Sequence, residues 1–356
     1  MDLPAAIRSE KHSGSLPARI AIVTDAWHPQ VNGVVRTLST TAAHLRNRGC
    51  DVTILSPDGH RSIPCPTYPE IRLAITLPGA TGRALASLAP DAIHIATEGP
   101  LGLAARAHCV RRNIPFTTAY HTQFPDYLAR RTNLPASMFW PFIRWFHRPS
   151  QAIMVATPTI RRELRDQGLG HLHHWSRGVD LECFSPDAPP PPEYAELPGP
   201  ILLYVGRVAV EKNIEAFLGM DFPGSKVVVG DGPALGSLQA RYPEAHFLGR
   251  RSGRELAGCY AGADVFVFPS RTDTFGLVMI ESLACGTPVA AFPVAGPADI
   301  IEDAVGALSE DLRRAAAAAL LCDRADCAAF GARYSWSAAT DQFVSGLSLL
   351  DRAALP

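Results

Sequence analysis

Lysine is almost absent from this chain: only Lys11, Lys212 and Lys226 occur among 33 basic residues. Net charge is equally scant, at −1, which argues against a nucleic-acid partner. No apolar run approaches the ~18–20 residues that span a bilayer. Residues 1–17, with Pro4, Arg8, Glu10, Lys11 and Pro17, lack the apolar stretch of a secretion signal and read as a flexible leader. The eight cysteines form neither a CxxC nor a zinc-knuckle spacing, so free buried thiols in a reducing cytoplasm are expected. A GxGxxG fingerprint is missing too, which speaks against a dinucleotide site.

What is present points to two α/β domains. The 356 residues are 47% apolar and 19% charged, enough for two sizeable cores. Apolar runs at 19–24, 52–55, 92–96, 115–119 and 152–156 alternate with helical stretches such as 34–48 and 100–112. Continuous apolar strands separated by helices predict parallel strands buried on both faces, a doubly wound sheet. Pro189-Pro190-Pro191-Pro192 then interrupts the pattern as a stiff connector. The alternation restarts at 201–205, 226–229, 245–248, 264–268 and 288–292, and the tail from about 309 reads as helical. The expected division is a first domain at 18–187, a linker at 188–199, a second domain at 200–335 and a closing helix at 336–356. That helix is expected to pack back on the first domain.

Several segments carry possible chemistry. Asn32-Gly33-Val34 opens the first helix after a strand, where a glycine lets a ligand approach and amides favour phosphate; a plain turn uses Asn-Gly too. Strand 201–205 runs into Gly206-Arg207 and then Glu211-Lys212-Asn213. The two cations are suited to a departing diphosphate, or are simply surface charges on a loop. Asp273 and Glu281 straddle Phe275-Gly276-Leu277-Val278, a glycine-bearing helix start. His171, His173 and His174 read as exposed polar residues at a strand edge rather than as metal ligands.

The order of Asn32-Gly33-Val34, Tyr120-His121-Thr122, Gly206-Arg207…Glu211-Lys212-Asn213, Gly230-Asp231-Gly232-Pro233 and Asp273-x₇-Glu281 resembles the retaining glycosyltransferases of family four. The resemblance spans about residues 18–345 and is nearest to bacterial mannosyl-, glucosyl- and glucuronosyltransferases acting on diacylglycerol and other glycolipids. It implies the GT-B fold, two Rossmann-like domains facing a cleft, with a UDP- or GDP-sugar as donor and neither metal nor cofactor. It further implies that Arg207 and Lys212 clamp the donor diphosphate and Glu281 binds its ribose. By the same resemblance, Gly276, Leu277 and Val278 offer amides to phosphate, Gly33 and Val34 face it from the opposite wall, and His121 lies beside the donor sugar. The strand at His246-Phe247-Leu248 would lie near the base. The family pattern is usually E-x₇-E, so Asp273 is a departure that bears on the sugar contact. Gln123 to Tyr127, with Asp126 and Tyr127, could line the acceptor path.

Charge and aromatics bear on the acceptor. Residues 1–187 hold 20 basic against 14 acidic side chains, +6, and residues 188–356 hold 13 against 20, −7. In the basic half, Phe139, Trp140, Phe142, Trp145 and Phe146 cluster with Arg130, Arg131, Arg144 and Arg148. This segment is either an ordinary helix packed on the sheet or an interfacial docking element. The docking reading predicts a lipid acceptor and peripheral attachment to the inner face of the cytoplasmic membrane. The alternatives are a soluble sugar or polysaccharide acceptor, a nucleotide-sugar 2-epimerase, or a non-catalytic nucleotide-sugar-binding module.

Overall fold

The computed structural model describes residues 16–350 apart from 31, 59–61, 66–67, 76–78, 122–124, 126–128, 130–133, 272 and 274. Two six-stranded parallel sheets organise the chain. The first comprises β1 (Arg19–Val23), β2 (Asp51–Leu55), β5 (Ala92–Ile95), β6 (Thr117–Ala119), β7 (Ala152–Val155) and β8 (Leu172–His174), in the order β2-β1-β5-β6-β7-β8. The second comprises β9 (Ile201–Val205), β10 (Ser225–Val229), β11 (His246–Gly249), β12 (Val265–Phe268), β13 (Val289–Ala291) and β14 (Gly306–Leu308), in the order β11-β10-β9-β12-β13-β14. A hairpin of β3 (Ser62–Cys65) and β4 (Tyr68–Ala74) stands apart.

Burial on both faces explains why the strands are apolar throughout. In β9, Ile201, Leu203 and Val205 enter one core while Leu202 and Tyr204 enter the other. In β1, Ile20 and Ile22 divide from Ala21 and Val23 in the same way. A side chain that alternates faces must be apolar at every position when neither face meets water.

The strand order also locates the ligand crevices. In the second sheet the order reverses between β9 and β12, and in the first between β1 and β5. In open parallel sheets, ligands bind beyond the carboxyl ends of the strands at such reversals.

The proline connector is fixed to the second sheet's helices. Pro191 is extended, with φ −65° and ψ 143°, and Tyr194 Oη donates to the Cys259 carbonyl at 3.1 Å. Helix Gly253–Ala261 approaches so closely that a Cβ on Gly258 would fall 2.0 Å from the Pro189 carbonyl oxygen.

After the second sheet the chain returns to the first. Helix Trp336–Gly346 places Phe343 against Trp175 and His94, with ring centroids 4.8 and 5.0 Å away. Arg48 pairs with Asp341 at 2.5 Å. Going and returning, the two connections touch. The Val179 amide donates to the Tyr334 carbonyl at 2.9 Å, and Val179 forms a parallel bridge with Ser335.

Candidate active site

The β9 exit and the β12 exit build one wall. Beyond β9, Gly206 leads to Arg207, whose Nη1 lies 3.5 Å from Glu211 Oε1. The neighbouring turn after β10 presses directly on it: a Cβ at Gly230, where φ is +150°, would meet the Gly206 carbonyl oxygen at 1.9 Å. Only glycine fits there. Lys212 closes a short 3₁₀ turn, and Asn213, at φ 54°, sends its Nδ2 to the Pro269 carbonyl at 3.1 Å. That bond ties the β9 loop to the β12 loop.

Lys212 and Asp273, 61 residues apart in sequence, meet as an ion pair. Lys212 Nζ donates to Asp273 Oδ1 at 2.6 Å and Oδ2 at 2.9 Å. Burial pushes the Asp273 carboxyl up, but the ammonium outweighs it and, with a Ser270 hydrogen bond, holds the pKa below the usual carboxylate value. Phe275 is buried, edge-on to Tyr334. Gly276, at φ 84°, is the N-cap of helix Leu277–Ala284 and has no side chain with which to cap it. Amides in the first turn of a helix, here those of Leu277 and Val278, can donate to an anion. Glu281, the fifth residue of that helix, is almost fully buried and accepts from Tyr260 Oη at 3.3 Å.

The opposite wall comes from the first sheet. Asn32 caps helix Gly33–Asn47, its Oδ1 accepting from the Val34 and Val35 amides at 3.0 Å each. Val34's amide is therefore already committed to that cap. A Cβ on Gly33 would lie 3.9 Å from Leu277 Cδ1, so the two helix starts face each other. One turn further, Arg36 forms a salt bridge with Glu281 across the two halves. Burial raises the Glu281 pKa, and Arg36 opposes that rise. A second contact across the halves runs from the Thr159 Oγ1 hydroxyl to Asp299 Oδ1, at 2.8 Å.

His121 follows β6 and is held from behind by Arg177, whose Nη2 lies 3.0 Å from Nδ1. Burial first, then Arg177 and His94, drive its pKa well below the ordinary value. A guanidinium can only donate, so Nδ1 accepts and the neutral ring carries its proton on Nε2. Burial lowers the Arg177 pKa to about 9, and this side chain also bonds the Trp175 and Ser176 carbonyls. Asp126 and Tyr127 lie outside the described residues.

Sequence reasoning missed Arg36, Tyr260, Arg177 and the Thr159–Asp299 contact. Arg36 had one available signal, lying one helical turn past Gly33. The others gave none, since their partners are distant in sequence.

The aromatic segment divides between its two readings. In helix Trp140–His147, the Trp140, Ile143, Phe146 and His147 side chains are buried, whereas Trp145 is 52% exposed. Nearby Met138 is 59% exposed. The Trp145 ring lies under the Arg106 guanidinium, 3.8 Å from its carbon. Of the three histidines, His171 contacts the His147 carbonyl at 3.3 Å and His173 the Gln342 carbonyl at 2.8 Å. Among the described residues no group of metal-ligating side chains converges. No helix of the described residues is long and apolar enough to cross a membrane.

Two doubly wound parallel sheets, with their carboxyl edges joined across helix starts and paired charges, define a GT-B glycosyltransferase architecture. Known proteins agree. Residues 31–183 match the family model described as Glycosyltransferase Family 4, and residues 199–325 match Glycosyl transferases group 1. A GDP-mannose-dependent alpha-mannosyltransferase of Mycobacterium tuberculosis is 33% identical, covering 80% of this chain and 81% of its own. The alpha-monoglucosyldiacylglycerol synthase of Streptococcus pneumoniae is 29% identical, covering 77% and 70%. A solved sucrose-phosphate synthase from Thermosynechococcus elongatus superposes with a TM-score of 0.73 at 22% identity, over 91% of this chain and 97% of that one, and shares the fold. The chain belongs to glycosyltransferase family 4.

Proposed function

We infer that this glycosyltransferase moves a hexosyl unit, with retention of configuration, from a nucleoside diphosphate sugar to a hydroxyl of a membrane lipid. Residues 200–335 take the donor and residues 18–187 the acceptor. The observation that carries this reading is the Lys212–Asp273 pair beside the glycine-led start of helix 277–284, at the strand-order reversal. Arg207 and Lys212 neutralise the diphosphate as its charge grows, and the Leu277 and Val278 amides hold it. Glu281 accepts from the ribose hydroxyls. Asp273 accepts from a sugar hydroxyl while remaining paired with Lys212, and His121 donates from Nε2 to another. The bond from the anomeric carbon to the phosphate oxygen breaks as the bond to the acceptor oxygen forms on the same face. The acceptor proton passes to the departing phosphate oxygen, so no protein nucleophile is required. Cations do the work of a metal, and turnover therefore needs no added metal or cofactor.

The mycobacterial relative's name specifies GDP-mannose and an alpha product, and the streptococcal relative's a glycosylated diacylglycerol. Those names support a hexosyl donor and a lipid acceptor here. The exposed Trp145 and Met138 on the basic half support attachment to the inner face of the cytoplasmic membrane.

The test is a panel of UDP- and GDP-sugars, GDP-mannose first, incubated with diacylglycerol-containing vesicles with and without EDTA. Expected is EDTA-insensitive sugar transfer to lipid from one donor. Nucleotide release indifferent to the vesicles moves the acceptor to a soluble glycan, and donor epimerisation without any acceptor overturns transfer altogether.

A further inference from the structure

Arg36 has no part in the chemistry described so far, yet it stands at its centre. It follows Gly33 by three residues, so both lie on one face of helix 33–47. Its Nη1 bonds Glu281 Oε1, and its guanidinium carbon sits 5.6 Å from the Phe184 ring centroid. A guanidinium offers five N–H donors in a planar fork, and Glu281 engages one nitrogen of it. The Arg36 side chain is 40% exposed and that of Glu281 only 2%, so the fork has a buried edge and an open one. Arg36 stands one turn beyond Gly33, where a Cβ would lie 3.9 Å from Leu277 Cδ1, so the exposed part of its side chain belongs to the same meeting of the two helix starts.

Electrostatics assign that edge a ligand. Glu281 is a buried carboxylate whose charge Arg36 and the Tyr260 hydroxyl support. A neutral ribose bound there brings no compensating charge. The diphosphate attached to it adds negative charge a few ångströms away, where burial strengthens repulsion. A cation spanning carboxylate and diphosphate removes the conflict.

We propose that Arg36 is a donor-binding residue supplied by the opposite half of the molecule, with one edge on Glu281 and the other on the donor diphosphate. This rests on the reading of residues 277–281 as the donor site. Nucleotide binding then recruits both halves at once, because the guanidinium and the carboxylate it serves belong to different sheets.

Calorimetric titration separates this role from its rivals. The wild type, Arg36→Ala and Arg36→Lys are titrated at low ionic strength with GDP, UDP, guanosine and uridine. For whichever diphosphate the wild type binds, Arg36→Ala lowers its affinity about 10- to 100-fold and leaves the matching nucleoside within about threefold. Arg36→Lys recovers part of the loss by restoring the charge. Equal losses for diphosphate and nucleoside would reduce Arg36 to a support for Glu281 and overturn the proposal. Tighter binding of both would make it an occupant that ligand must displace, and would overturn it equally. A wild type that binds neither diphosphate removes the donor reading itself, and this inference with it. Thermal melts of the variants confirm that each is folded.

Discussion

Among the described residues the Lys212 ammonium donates to both carboxylate oxygens of Asp273, so it must be shared when a diphosphate arrives. Sharing suits a leaving group, because the ammonium's pull matters most as negative charge grows on the departing oxygen. Lys212→Ala is expected to reduce kcat about 10²- to 10³-fold while the protein remains folded. Steady-state kinetics beside a circular-dichroism melt checks this, and a fully active variant removes Lys212 from the leaving-group role. Buried imidazoles give a second expectation. Burial lowers the pKa of His94 to about 3, and that of His121 also falls. Below about pH 6.5 the unfolded chain binds protons that these rings refuse, so stability declines as pH falls from there toward the folded values. The slope reaches about 1.4 kcal/mol per pH unit for each such ring. Asp273, with its lowered pKa, adds a loss in the same direction at still lower pH, and Glu281, with its raised pKa, partly offsets it. Melting temperatures between pH 7.5 and 5 should fall steeply, and His94→Phe should flatten that slope. An unchanged slope in the variant would contradict the assignment.

Helix 140–147 shows what a single element can do with two faces. Ile143 is fully buried, and Ile143→Ala is expected to cost about 2–5 kcal/mol through the cavity it leaves. Arg144 and Trp145 are exposed, and the double variant Arg144→Ser/Trp145→Ser should change stability by only about 1 kcal/mol. That variant should lose co-sedimentation with phosphatidylglycerol vesicles, and full retention would exclude this face as the docking surface. Sequence could name the aromatics but not divide them, since an eight-residue helix gives too few turns for a stripe to stand out. Strands were legible where both faces are buried, as in ILLYV at 201–205. β14 escaped because Gly306–Leu308 is a three-residue edge strand whose short apolar stretch is broken by a glycine. The site was legible where its motifs are local, at Gly206–Asn213 and Asp273–Glu281. It was illegible where one half completes the other, as Arg36 completes Glu281, because such a pair leaves no spacing to read.

At the scale of the molecule, the two sheets are joined twice, once on the way out near Val179 and once on the way back near Ser335. A Cβ on Gly178 would stand 2.4 Å from the Trp336 amide nitrogen and 2.6 Å from its Cα, so backbone itself would have to give way. Gly178→Ala is therefore expected to separate the two connections and lower the melting temperature by several degrees, measured beside Gly199→Ala, where nothing stands within 4 Å. Equal melting of the two variants would show that the contact is slack.

Because those two connections run side by side and the prolines are bound to helix 253–261, the halves are not joined as beads on a string. Two leaves pinned on one line make a door hinge, a geometry that would permit rotation about that line and resist sliding and separation. An ensemble measured by distance labels on the two halves should consequently trace an arc: labels far from residues 179 and 335 should move most, and labels beside them hardly at all.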